Sequence, residues 1–319
     1  MNKLKKIGLS ALAGSLVATS AFAGEMAVGG SAKATYTDRE TTTVTGSGFG
    51  MNKLLTFTGS GELDSGHTIT AYFGNNGTSQ SSAYMTYDMG DMGSLTLDNG
   101  AGGHGIGSID DKTPTANEEI WDNIGHGTDH DGYRVGIGNA GALAYATTFV
   151  GVGVSADYVK QGGGSLEDGA TGAAGSGSSK SIALTYALAD GLNVGAGMAN
   201  VGTGNTAIDS DQETMFITYA LGGVSFGAQQ SRERTSEAYG WDTTQWGISF
   251  NVSDNVAIGY GQRTVDRTDQ TVDQEDTGFS ASWTLGSISL SGNVNKSDDM
   301  HGTAASDKET TEIAVSFAF

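Results

Sequence analysis

Apolar side chains recur at every second position along most of this chain, in segments of about ten residues separated by clusters of Gly, Asp, Asn and Ser. A period of two means strands, because successive side chains of an extended backbone point to opposite faces. Ile182, Leu184, Tyr186 and Leu188 alternate with Ala183, Thr185 and Ala187. Met215, Ile217, Tyr219 and Leu221 do so with Phe216, Thr218 and Ala220, and Phe279, Ala281, Trp283 and Leu285 with Ser280, Ser282 and Thr284. One face is oily; the other is small and polar.

The pattern predicts strands at 27–37, 49–63, 67–75, 82–89, 93–98, 133–148, 150–160, 180–189, 191–201, 213–222, 224–233, 241–252, 255–265, 277–285, 287–296 and 310–319, about sixteen in all. Their connections alternate in length. Asp64-Ser65-Gly66, Asp190-Gly191, Gly222-Gly223 and Gly286 are short, whereas 38–48, 99–132, 161–179 and 297–309 are long and polar. Short turns on one rim and long loops on the other are the plan of an all-β fold, a transmembrane antiparallel β-barrel with long extracellular loops. A soluble sandwich also alternates, so three further features carry the choice. The polar face is dominated by Ser, Thr, Ala, Gly and Asn, as expected where side chains line water in limited space. Tyr36, Tyr72, Tyr87, Tyr133, Tyr158, Trp241, Trp246 and Tyr260 fall near strand ends, where an interfacial girdle would stand. Ile313, Val315, Phe317 and Phe319 alternate to the last residue.

Residues 1–23 read as a signal peptide: Lys3, Lys5 and Lys6, then an apolar run from Ile7 to Val17, then Ala21-Phe22-Ala23. The remaining 24–319 form the barrel. The leader holds 3 of the 16 basic residues and none of the 36 acids, so the rest carries 13 − 36 = −23. Such a chain does not bind nucleic acid, whose backbone requires Lys/Arg surfaces. There is no cysteine, which excludes disulfides and thiolate metal sites.

Over essentially the whole of 24–319 the chain resembles the Gram-negative general diffusion porins, 16-stranded outer-membrane proteins. The leader ending Ala21-Phe22-Ala23, the strand spacing, the long third loop and the terminal strand Glu312-Ile313-Ala314-Val315-Ser316-Phe317-Ala318-Phe319 carry that resemblance. It implies a homotrimer in outer-membrane lipid, small hydrophilic solutes and ions passing passively, and a third loop folded into the lumen. It also implies that Phe319 is read by the barrel assembly machinery. Physics supports the barrel independently: every backbone donor and acceptor in hydrocarbon must be paired, so the first strand has to close on the last. At sixteen strands the bore is too wide for side chains to fill.

The stretch from Asp98 to Gly132 is the longest without alternation, and it holds Asp110, Asp111, Glu118, Glu119, Asp122, Asp129 and Asp131 against the single Lys112. Folded into the lumen, these acids would form a negative constriction that concentrates cations. Parity turns Lys33, Arg134 and Arg263 toward the water face as candidate basic wall residues, along with Glu62, Asp88, Asp98, Asp157 and Glu312, while Arg232 and Arg234 fall in the outward register. The loop lacks the Pro-Glu-Phe-Gly-Gly-Asp run of enteric members, which favours a mild cation preference over a strong transverse field.

Other signals are weaker. Gly100 to Gly105 matches G-x-G-x-x-G but is followed by no amphipathic helix, so it does not suit a dinucleotide. His126, Asp129, His130 and Asp131 could hold a divalent metal, Ca²⁺ ahead of zinc, although Gly-rich acidic loops contain such clusters by composition. No nucleophile elbow stands between a strand and a helix, so the chain does not read as an enzyme and no cofactor is required. Two alternatives remain: a solute-specific channel on the same barrel, and an exported β-rich surface or adhesion protein that binds Ca²⁺ and has no pore.

Overall fold

The computed structural model describes residues 24–39, 48–77, 80–122, 124, 135–138, 140–160, 177–202, 209–235 and 239–319. The described residues form sixteen strands: β1 (Met26–Arg39), β2 (Phe49–Glu62), β3 (Thr68–Asn75), β4 (Gln80–Asp88), β5 (Ser94–Asn99), β6 (Ala140–Phe149), β7 (Val152–Val159), β8 (Ser179–Ala189), β9 (Leu192–Val201), β10 (Ser210–Leu221), β11 (Val224–Arg234), β12 (Gly240–Ser253), β13 (Val256–Arg267), β14 (Gln274–Leu285), β15 (Ile288–Asp298) and β16 (Lys308–Ala318). Each pairs antiparallel with its sequence neighbours, and β1 pairs with β16, so the sheet closes on itself. No described helix is long and apolar enough to cross a membrane. A closed barrel can cross with strands instead, because closure leaves no edge unpaired in hydrocarbon.

Short turns on one rim explain the glycines there. Gly222 and Gly286, at φ 59° and 61°, open two-residue turns that require a left-handed residue to match the twist of the flanking strands. At the seam, Phe319 accepts from the Gly30 amide at 2.9 Å and donates to its carbonyl at 3.0 Å. Its ring occupies the space a side chain on residue 30 would need, 2.6 Å from where a Cβ would stand. The last residue is thus a structural part of the closure.

Alternation holds around the barrel. Leu97, Leu143, Leu184, Ile217, Phe226, Phe250, Phe279 and Val315 are exposed on the outer surface, while Thr96, Ser181, Thr214, Gln229, Gln245, Ser280, Asn293 and Glu312 are buried on the other face. An apolar surface that encircles the molecule far exceeds what a soluble monomer exposes. Lipid covers it.

Three expectations need correction. The sixth strand begins at Ala140, not 133: Val135 and Ile137 continue the alternation but pack with Ile106 and Ala199, inside the barrel. Period two reports an extended, half-buried segment and not the surface that buries it. Among the girdle candidates, Tyr72 and Trp241 face inward, since Tyr72 stacks on Tyr84 at 4.9 Å and Trp241 lies under the Arg267 guanidinium at 4.4 Å. Tyr133 lies outside the described residues. Finally, β1 and β13 run two residues further than expected, which adds Arg39 and Arg267 to the inward register.

Candidate functional site

The third long connection leaves β5 and turns into the bore. Asp98, fully buried at the end of β5, accepts the amides of Ala101 and Gly102 at 3.0 and 2.6 Å, which bends the chain off the wall. A single 3₁₀ turn, Gly105–Ile109, follows, its Gly105 and Ile106 amides donating to Ser155 and Ser181 of β7 and β8. No phosphate cradle is left at the glycine-rich motif. Ile106 and Ile109 drop onto Ala199, Ala183 and Phe216, an apolar patch on the otherwise polar face.

From there the loop lies along a trough made by the strands themselves. Gly227, Gly247, Gly261 and Gly278 are consecutive cross-strand partners on β11 to β14, all facing inward. A Cβ on Gly247 would stand 2.6 Å from the Pro114 carbonyl oxygen, and one on Gly278 would stand 2.8 Å from the Ile120 Cα. Only glycine lets the loop backbone come this close. Pro114, the one proline of the chain, crosses Gly227 and Gly247 and has no N–H to satisfy there. Asn295 of β15 ends the row, donating to the Glu119 and Asp122 carbonyls at 3.1 and 3.0 Å. Gln229, Gln245 and Ser280 bind the intervening backbone and Asp111.

The described candidate residues therefore take different places. The Asp110 carboxylate caps the Asp111 amide at 2.9 Å. Asp111 accepts from Thr113 and from Gln245 at 3.0 Å, and burial pushes its carboxyl up, opposed by the Thr113 hydrogen bonds. It is a brace for the loop. Glu118 reaches Lys33 of β1 at 2.5 Å, and Lys33 also lies 3.3 Å from Glu312 of β16. Glu119 and Asp122 flank the same place. Burial first, then the charges of Glu118, Glu312 and Glu119, push Asp122 up to about 6, with Lys33 opposing. Asp129, Asp131, His126, His130 and Arg134 lie outside the described residues.

Arg263 points inward as parity requires, yet it does not stand in the bore. Its guanidinium pairs with Asp276 at 2.5 Å, both side chains fully buried, and the Trp121 ring covers it at 4.3 Å. A neutralised, covered arginine contributes little field. Sequence parity missed this because Arg263 and Asp276 meet only through the β13–β14 register. Glu312 faces inward as parity expects, Arg39 and Arg267 join the inward charges, and Arg232 and Arg234 do lie on the outer face, paired with Asp242 at the long-loop rim. The glycine trough was also missed. Its signal was present, as one inward glycine near the middle of each of four successive strands.

Comparison with known proteins agrees with this architecture. A model of a Gram-negative porin family matches residues 8–319. No match was found among curated protein sequences. Among solved structures, a porin refined at 1.8 Å resolution superposes with a TM-score of 0.66 at 16% identity, over 92% of this chain and 100% of that one. An anion-selective porin from Comamonas acidovorans gives 0.65 at 15% identity, over 93% and 100%. Salmonella typhi OmpF in complex with daunomycin gives 0.68 at 11% identity, over 93% and 98%.

Proposed function

The chain belongs to the Gram-negative porin family, and on that premise we propose that this outer-membrane diffusion channel is a general one, trimeric, passing small hydrophilic solutes and ions with a mild preference for cations. Family and fold are those of non-enzymatic channels, so the work is done by shape and charge alone. The observation that carries the cation preference is the Glu118, Glu119, Asp122 and Glu312 group facing Lys33 across the loop and wall. Acids outnumber the base there, and the low-dielectric wall strengthens their field in the bore. The pore-less alternative is weaker, because a surface or adhesion protein without a channel leaves the encircling apolar face unexplained.

Residues 1–23 serve as the export leader, Phe319 as the signal for barrel assembly in addition to its place at the seam, and the loop acids as the constriction. Gly59, Gly61 and Ala71 face outward and leave a shallow hollow at the short-turn rim, which supports a flat contact wall between protomers. Single-channel recording tests the reading: closures in groups of three and a cation-directed reversal potential are expected. Closures one at a time, or an anion-directed potential, would contradict it.

Acidity should modulate that preference. Asp122 holds its proton up to about 6 in the fold, above its ordinary 3.8. Its charged form is thus disfavoured by folding, and stability is regained as pH falls through about 6 toward the unfolded value. Over the same window the bore loses one negative charge among Glu118, Glu119, Glu312 and Lys33. Lowering pH from about 7 to about 5 in metal-free buffer is expected to reduce cation selectivity, and Asp122→Asn to abolish that step. An unchanged titration in the variant would place the step elsewhere.

A further inference from the structure

The acids that face Lys33 do more than bias the bore. Glu118 and Asp122, four residues apart on the loop, and Glu312 on β16 bring one carboxylate oxygen each within 4.8 Å of one another. Lys33 reaches Glu118 and Glu312, and Thr37 donates to Glu312 at 2.9 Å, so the three carboxylates meet in a half-buried corner of loop and wall. A second observation points to what fills it. Asn293, directly across from Glu312 on the same inward face, is 3% exposed, and among the described residues neither its Oδ1 nor its Nδ2 meets a hydrogen-bond partner. The comparison with Asn295, the next inward residue on β15, is direct: that amide is spent on the Glu119 and Asp122 carbonyls. On its other side Asn293 faces Ser280, whose hydroxyl takes the Ala116 amide. Asn293 therefore stands on the wall between Glu312 and Ser280, the residue that holds the loop at Ala116. A buried amide left there unsatisfied is costly.

We propose that Glu118, Asp122 and Glu312, with Asn293 Oδ1 and water, bind a calcium ion that ties the loop to the β15–β16 wall. The donor set is oxygen only, which suits a hard divalent cation and not zinc or copper. It comes from two strands and a loop in irregular array, which Ca²⁺ tolerates and Mg²⁺, with its strict octahedron, does not. Lys33 is the competitor. Its ammonium sits against Glu118 and Glu312, and the ion displaces it toward the bore, where its charge opposes cations. Calcium would thus fix the constriction and lower the cation preference together.

The test is calorimetric titration of CaCl₂ into the folded full chain, stripped with chelator, in detergent. One saturable site with a Kd in about the 10⁻⁴–10⁻³ M range is expected. Glu312→Gln should weaken it by about tenfold or more, and Lys33→Met should tighten it. Should Glu312→Gln fail to fold, Asp122→Asn on the loop gives the same reading without touching a strand. MgCl₂ should bind at least about tenfold more weakly. The absence of a saturable site, equal affinity for both ions, or full affinity in both carboxylate variants would overturn the proposal. Conductance of the calcium-free protein is independent of all these outcomes, so loss of the site would leave the channel reading intact.

Discussion

Changing Glu118, Glu119 and Asp122 together to their amides is expected to lower the cation-over-anion permeability ratio by roughly three- to tenfold. The measurement is the reversal potential in asymmetric KCl at low ionic strength. Low salt matters because the Debye length is about 10 Å at 0.1 M and shrinks as salt rises, hiding the effect. The choice of residues follows the geometry. Asp111 is braced by Thr113 and Gln245, so changing it would move the loop and confuse shape with charge. Lys33, by contrast, keeps Glu312 at 3.3 Å when the three loop acids are neutralised, so no ammonium is stranded. An unchanged reversal potential would place these acids off the conduction path.

Asp276→Asn should be the most destabilising conservative change in the barrel. Arg263 and Asp276 are both fully buried beneath Trp121, and Gln274 adds hydrogen bonds of 3.0 and 3.1 Å to the same carboxylate. Removing one partner leaves a guanidinium in a dry pocket with its charge uncompensated, at a cost of about 3–5 kcal/mol. Replacing both partners with apolar residues of similar volume removes the charge along with the pair and costs far less. Heating folded protein in detergent and following the loss of the compact form reads this directly. The single variant should lose it well below the wild type, and Arg263→Met/Asp276→Leu should recover most of the difference. Equal stability of the single variant and the wild type would show that water or lumen ions reach Arg263.

The barrel was legible because its determinant is local. Side-chain alternation and turn composition fix strand count and the two kinds of rim, and each of the expected strands has its counterpart. The site was legible only in part, for reasons that particular residues make plain. Lys33 and the loop acids could be found because charge in a loop and parity on a strand are one-dimensional. The fate of Arg263 could not, because Asp276 reaches it through a cross-strand register that no single strand encodes. Val135 and Ile137 misled because the lumen, where the loop covers it, is as dry as the outer face. The trough of Gly227, Gly247, Gly261 and Gly278 was written in the chain, but becomes a trough only when four strands are aligned.

The central claim is that apolar side chains meet lipid while the alternate set lines a water-filled bore. The chain has no cysteine, so single cysteines at adjacent positions of β1, Ala34→Cys and Thr35→Cys, can be compared without background. A charged, membrane-impermeant thiol reagent added during single-channel recording should alter the current through Thr35→Cys within seconds to minutes and leave Ala34→Cys unchanged. Block of Ala34→Cys with Thr35→Cys silent, or no current from folded protein of either kind, would contradict it.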